Sequence, residues 1–351
     1  MNGKERDKIR GSLLAGAAGD ALGYQIEFTR NVRERQVTGF LSGKGRISDD
    51  TQMTLFTANA LLYRVAAKER GKLISEEQAI YLSYLDWLET QNGKRSEFTV
   101  SRIKSCPELH RIRHPGNTCL TALESGVCGT LQNPINTSKG CGTVMRIAPV
   151  GLFYEDAAFC GLLSAKAGAV THGHELGNIP CMLEGILLNI LLHEETTFEK
   201  ALGKALDIFR KESVIFSSHN VKYFSEMTDK AIALAAKNLS DPVAIKEIGE
   251  GWVAEEAFCI ALYACLKYSD DLTAALIASV NHDGDSDSTG AVTGNILGAY
   301  LGEKAISEHF LNVELREHIT ELSDDLSEAK YRLKTGQPLG ELIAKYYDNL
   351  E

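Results

Sequence analysis

The stretch R-G-S-L-L-A-G-A-A-G-D-A-L-G, residues 10–23, indicates the fold class of this chain. Its apolar residues recur at spacings of three and four, which is the period of one face of an α-helix. Ala and Gly are frequent between the leucines, and such small side chains suit helices that pack closely. The runs T-Q-M-T-L-F-T-A-N-A-L-L-Y-R-V (51–65) and E-E-A-F-C-I-A-L-Y-A-C-L-K-Y (255–268) repeat this spacing.

The rest of the chain shows the same pattern, whereas runs of alternating apolar and polar residues are scarce. There is no Pro/Ser linker, low-complexity tract or repeat, so we expect one all-α domain over residues 1–351. The charged tail, roughly 303–351, is expected to form an outer helical layer. Further helices are predicted at 157–171, 176–193, 197–211, 221–237, 271–280, 287–302 and 313–333.

Composition limits the functional class. Of the 351 residues 44% are hydrophobic and 24% are charged, and the formal net charge is −10. An acidic chain without a Lys/Arg stripe argues against a nucleic-acid backbone as the main partner. No apolar run approaches the roughly 20 residues of a membrane span, and the charged start has no signal region. We therefore expect a cytoplasmic protein without a membrane partner. Monomer is the default, because one core can bury the helices.

Eight cysteines are scattered without a C-x-x-C pair, and several lie inside apolar helical runs. This distribution predicts reduced core thiols rather than a disulfide framework or a zinc site.

Two acidic clusters stand immediately before apolar-periodic runs: I-S-D-D-T-Q (47–52) and N-H-D-G-D-S-D-S-T-G (281–290). Short oxygen-bearing side chains are good helix starters, so capping alone could account for the first cluster. The second supplies Asp283, Asp285 and Asp287, which is more than a cap needs. Carboxylate and hydroxyl oxygens suit Mg²⁺, Mn²⁺ or Ca²⁺. Together the clusters predict a two-metal site at two helix N-termini.

Two glycine-containing loops could cradle an anion. P-G-N-T (115–118) leads into a helical run whose free N–H groups would suit a diphosphate. S-K-G-C-G (138–142) contains glycines that let a ligand approach the backbone closely. Ordinary glycine-rich loops remain the alternative interpretation. There is no Walker A pattern and no strand-anchored G-x-G-x-x-G.

These pieces, in this order, resemble the ADP-ribosylglycohydrolase family, which includes dinitrogenase reductase-activating glycohydrolase and the ADP-ribosylhydrolases. The resemblance covers most of the chain and implies a single all-α domain around two Mg²⁺ ions, with Mn²⁺ as an alternative. The matching segments are G-S-L-L-A-G-A-A-G-D-A-L-G-Y-Q-I-E-F (11–28), S-D-D-T-Q-M-T-L (48–55), P-G-N-T-C-L-T-A-L (115–123), S-K-G-C-G-T-V-M-R-I-A-P-V-G (138–151), T-H-G-H-E-L (171–176), G-E-G-W-V-A-E-E-A (249–257) and N-H-D-G-D-S-D-S-T-G (281–290).

The resemblance also implies roles for individual residues. The implied metal ligands are Ser48, Asp49, Asp50, Asp285, Asp287 and Ser288. Glu27, near the metals, and Asp49 are the candidates for moving a proton. The implied contacts to ADP-ribose are Gly116, Asn117, Thr118, Ser138, Lys139, Gly140, Cys141, Gly142 and His172.

Two further residues are interpreted as structural. Asp20 is expected to hold backbone groups or steady the metal cluster, and His174 is expected to support its surroundings. Some family members carry a catalytic Asp on the loop before P-G-N-T, but the nearest acid before that segment here is Glu108. The resemblance therefore gives no direct counterpart of that catalyst in this chain.

The expected activity is hydrolysis of an ADP-ribosyl bond on a modified protein, most readily on arginine, with free ADP-ribose as product. Another linkage is the alternative: serine, O-acetyl, a nucleic-acid base or a small guanidine compound. An inactive ADP-ribose-binding relative is a second alternative. The leaving-group pocket is expected on segments 29–46 and 91–115.

Overall fold

The computed structural model describes residues 3–29, 36–94 and 98–350. In these ranges the chain forms fifteen α-helices and no β-strand, which confirms the predicted all-α class. The helices are α1 (Gly3–Gly23), α2 (Asp49–Glu69), α3 (Glu76–Asn92), α4 (Asn117–Glu124), α5 (Ala148–Phe153), α6 (Ala157–Ala169), α7 (Glu175–His193), α8 (Phe198–Glu212), α9 (Ser218–Ala235), α10 (Asp241–Ile248), α11 (Ala254–Lys267), α12 (Leu272–Val280), α13 (Ser286–Leu301), α14 (Arg316–Thr335) and α15 (Glu341–Ile343).

Many helices begin at an oxygen-bearing side chain. Ser75, Thr197 and Asp271 accept hydrogen bonds from N–H groups in the first turns of α3, α8 and α12. Each such cap satisfies one of the N–H groups that a helix start leaves without a partner. The seven ranges predicted from periodicity agree with the observed helices to within three residues at either end.

Helices α1 and α13 pack antiparallel with their backbones in contact. A Cβ atom added to Gly19 would lie 2.0 Å from the carbonyl oxygen of Gly290. No side chain larger than hydrogen fits there without moving the helices apart. The C-terminal end of α1 therefore lies against the N-terminal end of α13. The facing positions along the two helices are Gly11 and Gly298, Ala15 and Gly294, Gly19 and Gly290, and Gly23 and Ser286.

Helix α7 lies in the core. It has 19 residues and a mean hydropathy of 1.4, so by length and composition alone it is long and apolar enough to cross a membrane. This finding corrects the expectation that no apolar run approaches the length of a membrane span. Its most apolar window is 94% buried inside the protein, which is also the position of a core helix in a globular domain.

The C-terminal region packs on the first helix, as the predicted outer layer would. Asp324 of α14 accepts hydrogen bonds from the Nε atoms of Arg6 and Arg10, each at 2.6 Å. Tyr346, near the end of the chain, is fully buried.

The eight cysteines are all free thiols, and Cys160 and Cys259 are among those that lie in the core.

Candidate active site

Three helix ends meet at one place: the C-terminal end of α1 and the N-terminal ends of α2 and α13. The α1–α13 contact brings the residues after Gly23 close to Ser286. Asp20 of α1 links the same region to the start of α2. The two acidic clusters, more than 200 residues apart in the chain, therefore lie side by side.

Asp20 holds the start of α2. Its carboxylate accepts hydrogen bonds from the Ser48 N–H at 2.9 Å and from the Thr51 N–H at 3.1 Å, and also from the Thr51 hydroxyl. Ser48 is the N-cap, and its hydroxyl oxygen accepts from the Asp50 N–H at 3.1 Å. This arrangement confirms the structural role expected for Asp20. It leaves the carboxylates of Asp49 and Asp50 available for other partners.

The start of α13 is built in a related way. Asp285 is the N-cap, and it accepts a hydrogen bond from the Ser288 N–H at 3.3 Å. Asp287 accepts from the same N–H at 3.0 Å. The Ser288 hydroxyl reaches the carboxyl groups of Asp50 and Asp285, so it joins the two helix starts.

Besides that of Asp20, five carboxyl groups share this buried region: those of Glu27, Asp49, Asp50, Asp285 and Asp287. Burial raises the pKa of Glu27 to about 8 and that of Asp49 to about 8, and neighbouring carboxylates act in the same direction. The pKa values of Asp50 and Asp287 lie well above their usual range for the same reasons. Without a cation, part of this cluster retains protons at neutral pH.

The cluster fits a divalent cation. Glu27 Oε2 and Asp50 Oδ2 are buried and have no hydrogen-bond partner. Within the described ranges, no Lys or Arg forms an ion pair with Asp49, Asp50, Asp285 or Asp287. Unpaired buried anions are costly, and a divalent cation would offset that cost. Carboxylate and hydroxyl oxygens are the ligands that Mg²⁺ and Mn²⁺ prefer.

Glu27 lies at the edge of the cluster, with 9% of its side chain exposed. Its carboxyl group lies close enough to that of Asp287 for the two to interact. His114 Nδ1 is 3.6 Å from Glu27 Oε2, and the His114 ring packs edge-on against Tyr24 with ring centroids 5.2 Å apart. His114 has a φ of 54°, a left-handed conformation that is uncommon for a residue with a Cβ atom. Sequence reasoning did not single out His114, and its position directly before Pro115 is a weak signal.

The P-G-N-T loop opens α4 beside the cluster, but one of its amide groups is already used. The Gly116 N–H donates to Asp49 Oδ2 at 3.1 Å, so the expectation that this amide is free for a phosphate was wrong. Helix α4 has no side-chain cap, which leaves the first-turn N–H groups of Asn117 and Thr118 available to an anion. The Thr118 hydroxyl oxygen is 3.0 Å from that of Ser138, which joins the two predicted ligand loops.

The loop 138–142 is fixed beside the start of α13. The Ala254 N–H donates to the Lys139 carbonyl at 2.9 Å, and the Cys141 N–H donates to the Trp252 carbonyl at 3.2 Å. The Cys141 thiol donates to Asp285 Oδ2 at 2.8 Å. The loop therefore borders the carboxylate cluster, as its predicted contact with a ligand requires.

Two side chains predicted to touch the ligand have other partners. The Lys139 ammonium group forms an ion pair with the buried Glu255. His172 is 1% exposed, and a Cβ atom on Gly142 would lie 3.2 Å from its ring. Burial lowers the pKa of His172 to about 3, so the ring is neutral and hydrogen-bonds with Thr171. Direct contact of either side chain with a ligand stays a prediction: the His172 ring is buried against Gly142, whereas the Lys139 side chain is 36% exposed.

His174 has the supporting role that the sequence predicted. It is the N-cap of α7, and its Nδ1 atom accepts a hydrogen bond from the Leu176 N–H at 3.1 Å. Glu108, the nearest acid before P-G-N-T, lies exposed in a short 3₁₀ turn and accepts a hydrogen bond from the Cys106 thiol. Nothing in this geometry gives Glu108 the role of the family's loop Asp.

A cavity of about 500 Å³ opens next to Glu27. The predicted leaving-group segments were 29–46 and 91–115, of which residues 30–35 and 95–97 lie outside the described residues. Of the residues that the structure describes in these two segments, Thr29 lines the cavity, and the predicted location of the leaving-group pocket stays a prediction. The residues that line the cavity are Glu27, Phe28, Thr29, Glu250, Trp252, Asp283 and Gly284.

A sequence model of the family described as ADP-ribosylglycohydrolase matches residues 1–335. The chain belongs to the ADP-ribosylglycohydrolase family. This confirms the resemblance and assigns the protein to a family of hydrolases that act on ADP-ribose linkages. The acidic helix starts and the two loops described above all lie within the matched range.

Three curated relatives match this chain over most of their own length. The ADP-ribosyl-[dinitrogen reductase] glycohydrolase of Rhodospirillum rubrum is 26% identical, with 87% of this chain and 90% of the relative covered. The ADP-ribosylarginine hydrolase Tri1 of Pseudomonas putida is 24% identical, with 91% and 78% covered. The ADP-ribosylhydrolase ARH3 of Bos taurus is 22% identical, with 86% and 87% covered.

A solved structure described as an ADP-ribosylglycohydrolase-related protein complex has the same fold. Its TM-score is 0.63 at 24% identity, and the match covers 94% of this chain and 99% of that chain. The all-helical architecture is thus shared over nearly the whole length of both chains.

Proposed function

We propose that this protein is a cytoplasmic, divalent-cation-dependent hydrolase that removes ADP-ribose from arginine side chains of modified proteins and releases free ADP-ribose. The observation that carries the proposal is the buried carboxylate cluster at two helix starts, with unpartnered oxygens on Glu27 and Asp50. Family membership supplies the ADP-ribosyl substrate. The arginine linkage is supported by the relative named as an ADP-ribosylarginine hydrolase.

The residues proposed to hold two Mg²⁺ ions, or Mn²⁺ in their place, are those that the sequence predicted. Their oxygens converge on one buried region, and the cations would act there by stabilising negative charge and orienting the ribose. The proposed ligands are Ser48, Asp49, Asp50, Asp285, Asp287 and Ser288.

The ADP-ribose would lie across the two loops that border this cluster. The open first turn of α4, at Asn117 and Thr118, offers N–H groups to the diphosphate. The Ser138 hydroxyl and the glycines of the 138–142 loop offer polar contact and close backbone approach. The Lys139–Glu255 ion pair and the buried His172 ring help to fix that loop.

Glu27 is the proposed proton carrier. Its pKa of about 8 means that it can hold or release a proton near neutral pH. Its position between the cluster and the cavity lets it serve both a water molecule and a leaving group entering from that side. Asp49 has a similarly raised pKa, but one of its oxygens already accepts the Gly116 N–H. Glu27 is therefore favoured for this role over Asp49.

The test is release of ADP-ribose from an arginine-ADP-ribosylated protein, with Mg²⁺ and with chelator, beside a serine-linked substrate. We expect release from arginine only with Mg²⁺. Asp49→Asn and Asp285→Asn should each lower kcat/KM by about 100-fold or more and weaken Mg²⁺ binding, since each removes a ligand charge.

A matched control is Asp271→Asn, which removes the same charge from the N-cap of α12, where Asn still caps. Its activity should equal that of the wild type. Equal release with Mg²⁺ and with chelator, or full activity in both ligand variants, would contradict the metal-dependent mechanism. Release from serine alone would keep the site and change the linkage.

A further inference from the structure

Arg146 is a fully buried arginine that has no acidic partner among the residues that the structure describes. It ends the short 3₁₀ turn Val144–Arg146, which follows the 138–142 loop, and none of it is exposed. Its Nη2 atom donates to the Thr171 hydroxyl at 2.7 Å and to the Ala167 carbonyl at 3.4 Å. Its Nε atom has no partner. A buried cation without an anion is costly, so this guanidinium group can be stabilised further by an anionic ligand.

The guanidinium group lies behind both predicted ligand loops. Its Nη1 atom is 3.5 Å from the sulfur of Cys119, which belongs to the first turn of α4. A Cβ atom on Gly142 would lie 3.1 Å from the same sulfur. The face of the Tyr84 ring supports the group from another side, with Cζ 4.4 Å from the ring centroid. The positive charge is therefore held where the open start of α4 meets the 138–142 loop.

Arg146 also fixes the hydrogen bonding of His172 through Thr171. A guanidinium group only donates, so the Thr171 oxygen accepts from it. That oxygen is 2.8 Å from His172 Nδ1, and the other side chain near it is the Cys119 thiol, a weak acceptor. The Thr171 proton is therefore assigned to Nδ1. Since burial and the charge of Arg146 keep the His172 ring neutral, its own proton is on Nε2.

The Nε2–H of His172 lies against the glycines of the 138–142 loop. A Cβ atom would lie 3.2 Å from Nε2 if added to Gly140, and 3.4 Å from it if added to Gly142. Nε2 forms no hydrogen bond with any described part of the chain. An unused donor and an unpaired cation thus lie beside the same loop. Both are satisfied by one kind of ligand, an anion with several oxygen acceptors.

We propose that Arg146 is a positioning residue for the diphosphate of the ligand. It supplies the buried positive charge behind both loops and, through the Thr171 hydroxyl, keeps the His172 Nε2–H as a donor at the 138–142 loop. This inference rests on the proposed function, which supplies the ADP-ribosyl ligand. A fixed cation in a region of low dielectric favours an anionic ligand over a neutral nucleoside.

A binding experiment tests the role of the charge without requiring turnover. The Mg²⁺-loaded protein is titrated with ADP-ribose by calorimetry and with neutral adenosine by ligand-detected NMR. Arg146→Met removes the charge at similar length. It should weaken ADP-ribose binding by about tenfold or more and leave the Kd of adenosine within about twofold. Arg146→Lys keeps the charge and should bind ADP-ribose more tightly than the Met variant.

The matched control is Arg64→Met, which removes a partly buried cation that pairs with Glu76 away from the loops. It should leave the Kd values of ADP-ribose and adenosine within about twofold of the wild type.

A second measurement needs no variant at Arg146. In ¹⁵N-histidine NMR at neutral pH, the signals of His172, assigned by their loss in His172→Gln, should show a proton on Nε2 and none on Nδ1. Thr171→Val removes the linking hydroxyl at similar volume. It should change the tautomer populations of His172 and weaken ADP-ribose binding by about threefold or more.

Three results would overturn the proposal. The first is a proton on Nδ1 of His172 in the wild type. The second is an equal loss of ADP-ribose and adenosine affinity in Arg146→Met. The third is a changed Mg²⁺ affinity in that variant with an unchanged Kd of ADP-ribose, which would assign the charge of Arg146 to the carboxylate cluster.

The proposed function fails separately. If arginine-linked protein is not hydrolysed but Arg146→Met still weakens ADP-ribose binding and not adenosine binding, the role of Arg146 stands and the arginine reaction falls. If arginine-linked protein is hydrolysed with an unchanged KM in Arg146→Met, the reaction stands and the role of Arg146 falls.

Discussion

At the residue scale, Asp20 fixes the backbone at the start of α2, where the first acidic cluster lies. It is fully buried, and one carboxylate takes the Ser48 N–H, the Thr51 N–H and the Thr51 hydroxyl. These are donors that Asp49 and Asp50 would otherwise attract. Because Asp20 satisfies them, the two neighbouring carboxylates can face the second cluster.

Asp20→Ala should therefore lower both stability and metal affinity. It leaves three buried donors without an acceptor, and we expect a loss of about 3 kcal/mol or more in the free energy of unfolding. Urea unfolding and Mg²⁺ titration measure the two effects. Asp20→Asn, which keeps one acceptor oxygen, should fall between the wild type and the Ala variant. A stable Asp20→Ala variant with unchanged Mg²⁺ affinity would contradict this role.

At the scale of the elements, the contact between α1 and α13 brings Glu27 to Asp287. The two helices touch backbone to backbone at Gly19 and Gly290. Four-residue spacing of small side chains lets this contact continue along both helices. The site depends on this packing, because a larger separation would move one cluster away from Glu27.

Replacing Gly19 and Gly203 by alanine should change the stability of the fold in opposite directions. Gly19→Ala places a Cβ atom 2.0 Å from the Gly290 carbonyl oxygen and should destabilise the fold by about 1–3 kcal/mol. Gly203→Ala in α8 meets no atom within 4 Å and should stabilise it by up to about 1 kcal/mol through helix propensity. Thermal unfolding compares them. Equal shifts of the same sign would refute the close-contact argument.

At the scale of the whole molecule, the carboxylate cluster couples folding to pH and to metal. The pKa values of Glu27 and Asp49 are each raised to about 8, and that of Asp20 to about 6. The folded, metal-free protein therefore binds more protons than the unfolded chain between about pH 4 and pH 8. Stability contributed by these groups must fall as pH rises through that window.

We therefore expect the Tm in chelator to be lower at pH 8 than at pH 6. Mg²⁺ should raise the Tm more at pH 8, because the cation competes with fewer protons there. At 100 times its Kd, each bound Mg²⁺ should add about 2.7 kcal/mol to the free energy of unfolding.

Differential scanning fluorimetry of the wild type and Asp285→Asn measures both shifts. The variant should lose most of the Mg²⁺ effect. A Mg²⁺ shift that is the same at pH 6 and pH 8 would argue against cation binding by these carboxylates.

Much of the fold and part of the site could be predicted from sequence. Helical periodicity can be recognised from residues that lie three and four apart in the sequence. Capping by Ser48 and Asp285 is also local, because each side chain binds an N–H group two or three residues later. The acidic helix starts were thus visible as local patterns. The pairing of Lys139 with Glu255 and the placement of His114 beside Glu27 were not visible, because they join residues far apart in the chain.

The sequence by itself determined an all-helical chain with two oxygen-rich helix starts and two glycine loops. The tertiary structure alone decided that these starts share one buried region, since that depends on the Gly19–Gly290 contact across more than 200 residues. It also placed a cavity of about 500 Å³ next to Glu27. The physical reason is that periodicity and capping are local, whereas burial and charge proximity depend on which helices pack together.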